Sequence, residues 1–429
     1  MDPYDVIVVG AGAAGLIAAG RAGELGGKVL LLEKMERPGR KLLITGKGRC
    51  NITNDAPQAE FLQHIYPNSR FLKHAFAKFF SADIIRLLNE NGCPTVVERG
   101  ARVFPVSNKS ADVVGALLRW VLKHQVEIKV KHKVLGLVIH DGKLDGLKIH
   151  SPAGTRVVRA GHIIVCTGGK SYPATGSDGD GYRFACSAGH VIETPRPALV
   201  AMESAGDMAQ RLQGLSLKNV TAMVWVNGKK AREEFGEMLF TEFGVAGPII
   251  LTLSRFMVDA LRQNHRVVLT VDLKPALDET KLDARLVRDL KEHGNKRMDS
   301  IFRMWLPAAM IGVFLEMTGV AGAKQGHQLT SAERRRILLL MKSLSMTISG
   351  YRPFKEAIIT AGGVVTSEIE ATTMESKMLE NLYFAGEVLD LNADTGGFNL
   401  QLAFSTGWLA ADACMRRVSQ DRLGKRGNL

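Results

Sequence analysis

The residues best suited to chemistry are three glycines and one acid near the start of the sequence. Gly10, Gly12 and Gly15 follow an apolar run at 6–9, and Glu33 ends a second apolar run. In a GxGxxG turn between strand and helix, the first glycine allows the tight turn and the second lets a pyrophosphate approach the backbone, while the third allows close packing. Glu33 stands at the spacing of an acid that accepts a hydrogen bond from ribose. The pattern predicts a dinucleotide site made by Gly10, Gly12, Ala13, Ala14, Gly15, Glu33 and Lys34.

A second set of glycines and an acid lies near the other end of the chain. A strand ends in Gly386-Glu387, and Gly396-Gly397 opens a long helix. An acid there can hold a ribityl chain, and the helix amides can face the N1 and O2 edge of an isoalloxazine ring. This favours a flavin over a nicotinamide as the bound dinucleotide. The candidate residues are Gly386, Glu387, Gly397, Phe398, Asn399 and Leu400.

Two further segments carry the glycines and polar side chains that would surround such a ligand. One is the loop 39–54, which follows the second strand, and the other is the turn after the apolar run 162–166. The candidate contacts are Arg40, Lys41, Thr45, Gly46, Gly48, Arg49, Cys50 and Asn51 in the loop, Thr167, Gly168 and Gly169 in the turn, and Val134 at the start of a strand.

The elements that position these residues alternate between strand and helix, which predicts an α/β nucleotide-binding domain. Pro195-Arg196-Pro197 and Gly350 bound a region without such motifs. We therefore predict an FAD-binding domain in two parts, 1–195 and 350–429 with a basic tail, around a β-rich insertion, 196–275, and a helical cap, 276–349.

Taken together, the motifs resemble those of the BaiN/YhiN-type flavoproteins, which include aminoacetone-oxidase-like and bile-acid-reductase-like members. The similarity extends over nearly the whole chain and is carried by GAGAAG, GRKLLITGKGRCNITN, TGGKSYPATGSDGDGY, LFTEFGVAGP, ITAGGV and NLYFAGEVLDLNADTGGFNLQLAFSTG. The resemblance implies a Rossmann-like fold of the two-dinucleotide-binding-domains type, with inserted β-barrel-like and helical cap regions.

The same resemblance implies non-covalent FAD and reduction of an activated C=C bond, with NAD(P)H as the electron donor. The substrate would be a steroid-enone-like small molecule or a uracil in ribosomal RNA. Two rival functions remain open, a flavin oxidase of a small amine or ketone and a non-catalytic FAD-containing protein that binds RNA or another partner.

Charge and cysteine content indicate which partners, metal sites and cellular location to expect. The formal net charge of +13 suits an anionic partner such as RNA, although solubility alone would explain it. The five cysteines include no CxxC pair, so neither a metal centre nor a redox disulfide is indicated. No stretch has the length and polarity of a membrane span, and a cytoplasmic location is expected.

Alkene reduction needs a proton donor as well as a hydride. Cys50 lies in the loop predicted to approach the flavin, but a small packed cysteine is the alternative interpretation. Tyr172 and Arg352 flank glycine-rich turns and are further catalytic candidates, and Arg352 could instead hold an anionic substrate.

Overall fold

The computed structural model describes residues 4–426 as a mixed α/β protein. The last residues of the predicted basic tail, 427–429, lie outside the described residues. The chain divides into two compact units. Unit 1 comprises the chain up to Arg196 and from Ile358 onward, and unit 2 is Pro197–Ala357.

The strands of the described residues are, in chain order, β1 (Tyr4–Val9), β2 (Val29–Leu32), β3 (Thr53–Asn54), β4 (Ile65–Tyr66), β5 (Thr95–Glu98), β6 (Arg102–Pro105), β7 (Glu127–Lys129), β8 (Lys133–His140), β9 (Lys143–Ser151), β10 (Gly154–Val165), β11 (Ile192–Ala198), β12 (Met202–Ser204), β13 (Ser216–Val226), β14 (Lys229–Phe240), β15 (Gly244–Ala246), β16 (Val267–Asp272), β17 (Leu344–Tyr351), β18 (Ile359–Val364), β19 (Leu382–Phe384) and β20 (Asn392–Ala393).

The α-helices of the same residues are α1 (Ala13–Glu24), α2 (Arg40–Ile44), α3 (Gln58–Phe61), α4 (Lys73–Lys78), α5 (Ser81–Glu90), α6 (Ser110–Lys123), α7 (Asp180–Ser187), α8 (Met208–Arg211), α9 (Pro248–Arg262), α10 (Glu279–Glu292), α11 (Met298–Trp305), α12 (Ile311–Thr318), α13 (Ser331–Lys342) and α14 (Phe398–Arg426).

Unit 1 is built on a seven-stranded sheet in the order β7-β2-β1-β10-β9-β8, with β19 also paired to β10. The strands β7, β2, β1, β19 and the second half of β10 are parallel. Their apolar runs are buried because helices cover both faces of a parallel sheet. The close approach of α1 to α6 depends on Gly20, where an added Cβ would lie 2.2 Å from the ring of Trp120.

The register of the parallel strands brings distant segments of sequence to one edge. Val9 pairs with Leu32 and with Val165, and Val165 pairs with Phe384. Four chain segments therefore leave the sheet side by side, beginning at residues 10, 33, 166 and 385. The carboxyl ends of parallel strands are where ligands bind in open α/β sheets.

Strand β10 belongs to two kinds of sheet. Its first half pairs antiparallel with β9, which in turn pairs antiparallel with β8. Its second half enters the parallel sheet between β1 and β19. The strand predicted at 162–166 is thus the second half of a longer strand that begins at Gly154.

Unit 2 contains a closed six-stranded barrel in the order β12-β15-β14-β13-β16-β17, accompanied by helices α8 to α13. Side chains alternate along the strands, as β17 shows: Leu344, Met346 and Ile348 are buried, while the residues between them are exposed. A barrel has no free sheet edge, so its backbone groups are paired all round.

The limits of unit 2 differ from the predicted ones. The predicted helical cap, 276–349, contains most of β17, and unit 2 continues to Ala357 instead of ending before 350. The alternation of Leu344, Met346 and Ile348 is a strand signal of period two, and it directly follows the helical run of α13.

Within residues 4–426, none of the helices combines the length and the apolar character needed to span a bilayer.

Candidate flavin-binding site

The three glycines of the first turn have three different surroundings. Gly10 has a φ of +96°, and an added Cβ there would lie 2.6 Å from the carbonyl oxygen of Cys166. At Gly15 the added Cβ would lie 1.8 Å from the carbonyl oxygen of Gly10, so only glycine fits. At Gly12 nothing lies within 4 Å of such an atom. Two of the glycines therefore close the turn, and Gly12 leaves open space at the start of α1, followed directly by Ala13 and Ala14.

The carboxylate of Glu33 reaches back to this turn. One oxygen accepts a hydrogen bond from the Ala11 amide at 2.9 Å, and the other accepts one from the Met35 amide at 2.8 Å. The two bonds fix the carboxylate beside the glycine turn, at the position expected for a ribose acceptor.

Next along the chain, Lys34 and the helix α2 extend the same region. The Lys34 ammonium pairs with Asp178 at 2.6 Å and with Asp180 at 2.8 Å, both in the motif TGGKSYPATGSDGDGY. The Gly39 amide donates to the Ala11 carbonyl, so α2 and its first residue, Arg40, begin next to the glycine turn.

A polar network joins Lys41 to Glu387, 346 residues later in the chain. The Lys41 ammonium donates to a Glu387 oxygen at 2.7 Å and to the Ser171 hydroxyl at 2.5 Å. The other Glu387 oxygen accepts from the Thr360 amide at 2.8 Å and from the Ser171 hydroxyl at 3.1 Å. The Thr360 hydroxyl in turn accepts from the amides of Lys170 and Ser171.

The turn Thr167-Gly168-Gly169 lies against this network. An added Cβ at Gly169 would be 2.4 Å from the Thr360 hydroxyl and 3.3 Å from the Glu387 carboxyl carbon. Thr167 is half-buried, and its hydroxyl has no hydrogen-bond partner among the described residues. Val134, at the start of β8, is buried.

The two ends of the chain meet at α1. An added Cβ at Gly386 would lie 2.8 Å from the Ala14 side chain, and one at Gly407 would lie 2.4 Å from the Ala14 carbonyl oxygen. An added Cβ at Gly397 would lie 2.4 Å from the Thr53 carbonyl oxygen, which places the start of α14 against the loop 39–54.

The residues around the start of α14 hold this turn. The Asn399 side chain accepts from the Ala393 amide and donates to the carbonyls of Ala393 and Asp394. The Phe398 ring packs edge-on against Phe61, and Leu400 is half-buried.

The loop 39–54 is tightly wound. Thr45 donates to the Leu42 carbonyl at 2.6 Å, and Gly46 and Gly48 have φ values of +56° and +86°. Asn51 is half-buried, and its side-chain oxygen has no partner among the described residues. The Arg49 guanidinium lies over the Phe104 ring at 4.1 Å.

The three catalytic candidates have unequal surroundings. Cys50 is 0% exposed, and burial raises the pKa of its thiol to about 12. These are the surroundings of a packing residue, and its role as proton donor stays a prediction. Tyr172 is half-buried, has a φ of +51° and follows Ser171 of the polar network. Arg352 belongs to unit 2 and pairs with Glu203 and Glu356, each at 2.9 Å or less.

The sequence reasoning missed a histidine beside the start of α14. The His64 Nδ1 lies 3.0 Å from an Asp394 oxygen, and the imidazole stacks on the Phe398 ring with centroids 4.4 Å apart. The His64 side chain is 37% exposed. No glycine-rich turn surrounds His64 in the sequence, so nothing marked it as a candidate. Ser171 and Thr360, in contrast, are hydroxyl residues within glycine-rich turns.

These residues fit a flavin dinucleotide. Gly12 leaves space at the α1 N-terminus, whose amides have no side-chain cap, as pyrophosphate binding requires. The side-chain oxygens of Asn51 and Thr167, which have no partner among residues 4–426, supply polar groups in the loop 39–54 and directly after β10. Gly12, Glu33 and the amides of α1 would hold the dinucleotide, and Glu387 and the α14 N-terminus would face the ribityl chain and the ring.

The comparisons with known proteins agree with this geometry. The model of the HI0933-like protein Rossmann domain matches residues 4–413. A 3-dehydro-bile acid delta(4,6)-reductase of Clostridium scindens is 28% identical over 412 residues, covering 96% of this chain and 98% of the relative. A ribosomal RNA dihydrouridine synthase of Escherichia coli is 28% identical with the same coverage.

Among solved structures, a 3-ketosteroid delta1-dehydrogenase of Sterolibacterium denitrificans has a TM-score of 0.52 and 13% identity, covering 97% of this chain and 100% of that chain. This similarity shows the fold alone. The fold, the paired glycine motifs and the family match agree, and the chain belongs to the HI0933-like family of flavoprotein oxidoreductases with a Rossmann-type FAD-binding fold.

Proposed function

We propose that this protein is an NAD(P)H-driven, FAD-dependent reductase of an activated C=C bond, and that its substrate is a uracil in ribosomal RNA. The observation that carries the reductase proposal is the meeting of both glycine motifs at one sheet edge, where Lys41 bonds to Glu387 and Glu33 lies at the first turn.

The names of the two relatives support the choice of bond. One is named as a reductase of a dehydro-bile acid and the other as a dihydrouridine synthase. An unsaturated ketone and a uracil share one reactive unit, a C=C bond conjugated to a carbonyl. Saturating that bond places a hydride on the carbon remote from the carbonyl and a proton on the carbon next to it.

In this reaction the protein's own residues would bind and orient the FAD and the substrate, and would supply the proton. When bound, FAD would supply the hydride from its reduced ring. The amides at the start of α14 would favour negative charge at the facing edge of the ring. Lys41, held by Glu387 and Ser171, would fix the polar side of the site.

His64 is a better-placed proton donor than Cys50. Asp394 holds Nδ1, which leaves Nε2 as the free nitrogen, and no described residue bonds to it. A histidine oriented by a carboxylate is a common general acid in enzymes. Cys50 is enclosed on all sides, so its thiol has no route to a substrate without movement of the loop.

Charge favours RNA over a steroid as the substrate. The formal net charge is +13, and a polyanion gains affinity from such a surface while a neutral steroid does not. The two relatives are equally similar to this chain, so identity alone does not separate the substrates.

The test is anaerobic reduction of the holoprotein with NADH and with NADPH, followed by mixing with ribosomal RNA or with a steroid enone. Bleaching by either nucleotide and reoxidation by RNA, with dihydrouridine in the product, would support the proposal. Reoxidation by the enone alone would replace RNA with a small molecule. Reoxidation by oxygen alone, after reduction by an amine or ketone, would support the oxidase alternative.

A further inference from the structure

The hairpin β5–β6 and the two loops beside it form an exposed cationic surface in unit 1. We call Lys47, Arg99, Arg102 and Lys109 the hairpin surface. All four side chains are exposed, and none has an ion-pair or hydrogen-bond partner for its charged group among the described residues. The same segments carry two carboxylates, those of Asp55 and Glu98, and Glu98 is paired with Arg49.

Arg49 ties the three segments of this surface together. Its guanidinium pairs with Glu98 beside Arg99, donates to the Asn108 side chain at 2.7 Å beside Lys109, and lies over the Phe104 ring. The segments are thus held as one body. The four unpaired cations stand one or two residues from these contacts in the sequence, so their charges are held in one region of the surface.

The surface is continuous with the start of α14. The Asn54 side-chain amide donates both to the Gly100 carbonyl at 3.1 Å and to the Gly396 carbonyl at 3.2 Å. Gly100 is the tip of the hairpin between Arg99 and Arg102, and Gly396 belongs to the turn that opens α14. One side chain therefore joins the cationic hairpin to the turn that would face the flavin ring.

Apolar side chains lie among the cations. Val97 is 51% exposed and Val106 is 57% exposed, on the edge strand and just after the hairpin. Unpaired cations beside exposed apolar groups suit a polyanion whose sugars and bases also make contact.

We propose that the hairpin surface binds the phosphate backbone of the RNA and thereby delivers one base to the turn at Gly396. This inference rests on the proposed function, because it names the part of the protein that would hold the RNA. Anionic lipid is the competing class of partner, and it becomes an outcome of the test.

The test compares two triple variants of the holoprotein. Arg99→Ala/Arg102→Ala/Lys109→Ala removes three cations of the hairpin surface. Lys143→Ala/Lys148→Ala/Arg156→Ala is the matched control, because it removes three exposed cations of β9 and β10 that also lack ion-pair partners among residues 4–426. The probe is a fluorescent fragment of ribosomal RNA, followed by anisotropy at several salt concentrations.

We expect the hairpin variant to bind RNA about 10- to 100-fold more weakly, and the slope of log affinity against log salt to fall by about 2 units. The control variant should change affinity by less than about threefold. FAD affinity and reduction of the bound flavin by NAD(P)H should be the same in all three proteins, which would show that the flavin site is intact.

Equal weakening by both variants would overturn the hairpin assignment while leaving RNA as the substrate. Tight binding of phosphatidylglycerol vesicles, lost in the hairpin variant, with no binding of RNA by the unmodified protein, would also overturn it. If the hairpin variant alone loses RNA binding but the unmodified protein forms no dihydrouridine, the surface stands and the proposed reaction fails.

Discussion

A basic run of unit 2 and the hairpin surface of unit 1 differ in whether their cations have partners. In unit 2, ion pairs join Arg334 to Asp283, Arg335 to Glu279, and Lys342 to Asp272. In unit 1, the four cations of the hairpin surface have no ion-pair partner among the described residues. The densest basic run in the sequence, 334–336, therefore consists of cations that already have partners within unit 2. Whether a cation is available to bind RNA depends on whether it is already paired within the protein, and its partner is distant in the sequence.

The largest effect is expected within unit 1, where the partly exposed His64 is compared with the fully enclosed Cys50. His64→Gln should slow reduction of the substrate by about 10²–10⁴-fold, because it removes the proton donor, and should leave flavin reduction by NAD(P)H unchanged. Stopped-flow measurement of the two half-reactions separates the effects. A rate equal to that of the unmodified protein would remove His64 from the mechanism.

Cys50→Ala is the companion measurement. Because the thiol is enclosed, we expect a loss of about 1–2 kcal/mol in the free energy of unfolding and an unchanged rate of substrate reduction. Should the rate fall by orders of magnitude while the unfolding free energy stays constant, Cys50 would be the proton donor and the loop must open.

The second test compares a hydrogen-bonded carboxylate in each unit. Glu387→Ala should weaken FAD binding by about 3 kcal/mol, since it leaves Lys41 and the Thr360 amide without their acceptor. Asp289→Ala in unit 2 removes the acceptor of the Trp305 indole N–H, which lies at 3.0 Å, and should lower stability without changing FAD affinity. Isothermal titration of the two apoproteins with FAD measures the difference, and equal affinities would contradict the site.

The third test uses pH. A hydrogen bond from the Lys324 ammonium, with help from Thr330, lowers the pKa of Glu333 from 4.5 to about 2. A depressed folded-state pKa stabilises the fold above pH 4.5, and this contribution disappears as the pH falls toward 2. Hydrogen exchange of α13 should therefore accelerate over that range, by the equivalent of about 1 kcal/mol. Glu333→Gln should show little of this pH dependence.

The smallest effect is expected from the arginine run itself. Arg334→Ala/Arg335→Ala/Arg336→Ala should change RNA affinity by less than about threefold and cost about 1 kcal/mol of stability in total. Arg336 donates to the Thr318 carbonyl at the end of α12, so its charge is also engaged. If this variant lost as much affinity as the hairpin variant, pairing would be a poor guide to which cations meet RNA.

Sequence and structure agree best where the motif is local. The strand–turn–helix–strand segment from β1 to Glu33 could be predicted, because the strand, the glycines and the acid lie within thirty residues of one another. The bond between Lys41 and Glu387 could not be predicted, because it depends on the register of β10 with β19 across an inserted unit. His64 was missed since its partner Asp394 lies 330 residues away. The last barrel strand was assigned to the helical cap because its alternation begins directly after a helix.

The pairing of β19 with β10 also sets an order of events during synthesis. Unit 2 is a continuous stretch, and all its strands have emerged by Ala357. Unit 1 cannot close until residues 382–384 join its sheet and α14 covers α1. Once the chain has emerged from the ribosome as far as residue 370, all the barrel strands are available, whereas the sheet of unit 1 still has one open edge and α1 is not yet covered by α14. During that interval the N-terminal half is the part of the nascent chain most exposed to aggregation and most in need of a chaperone.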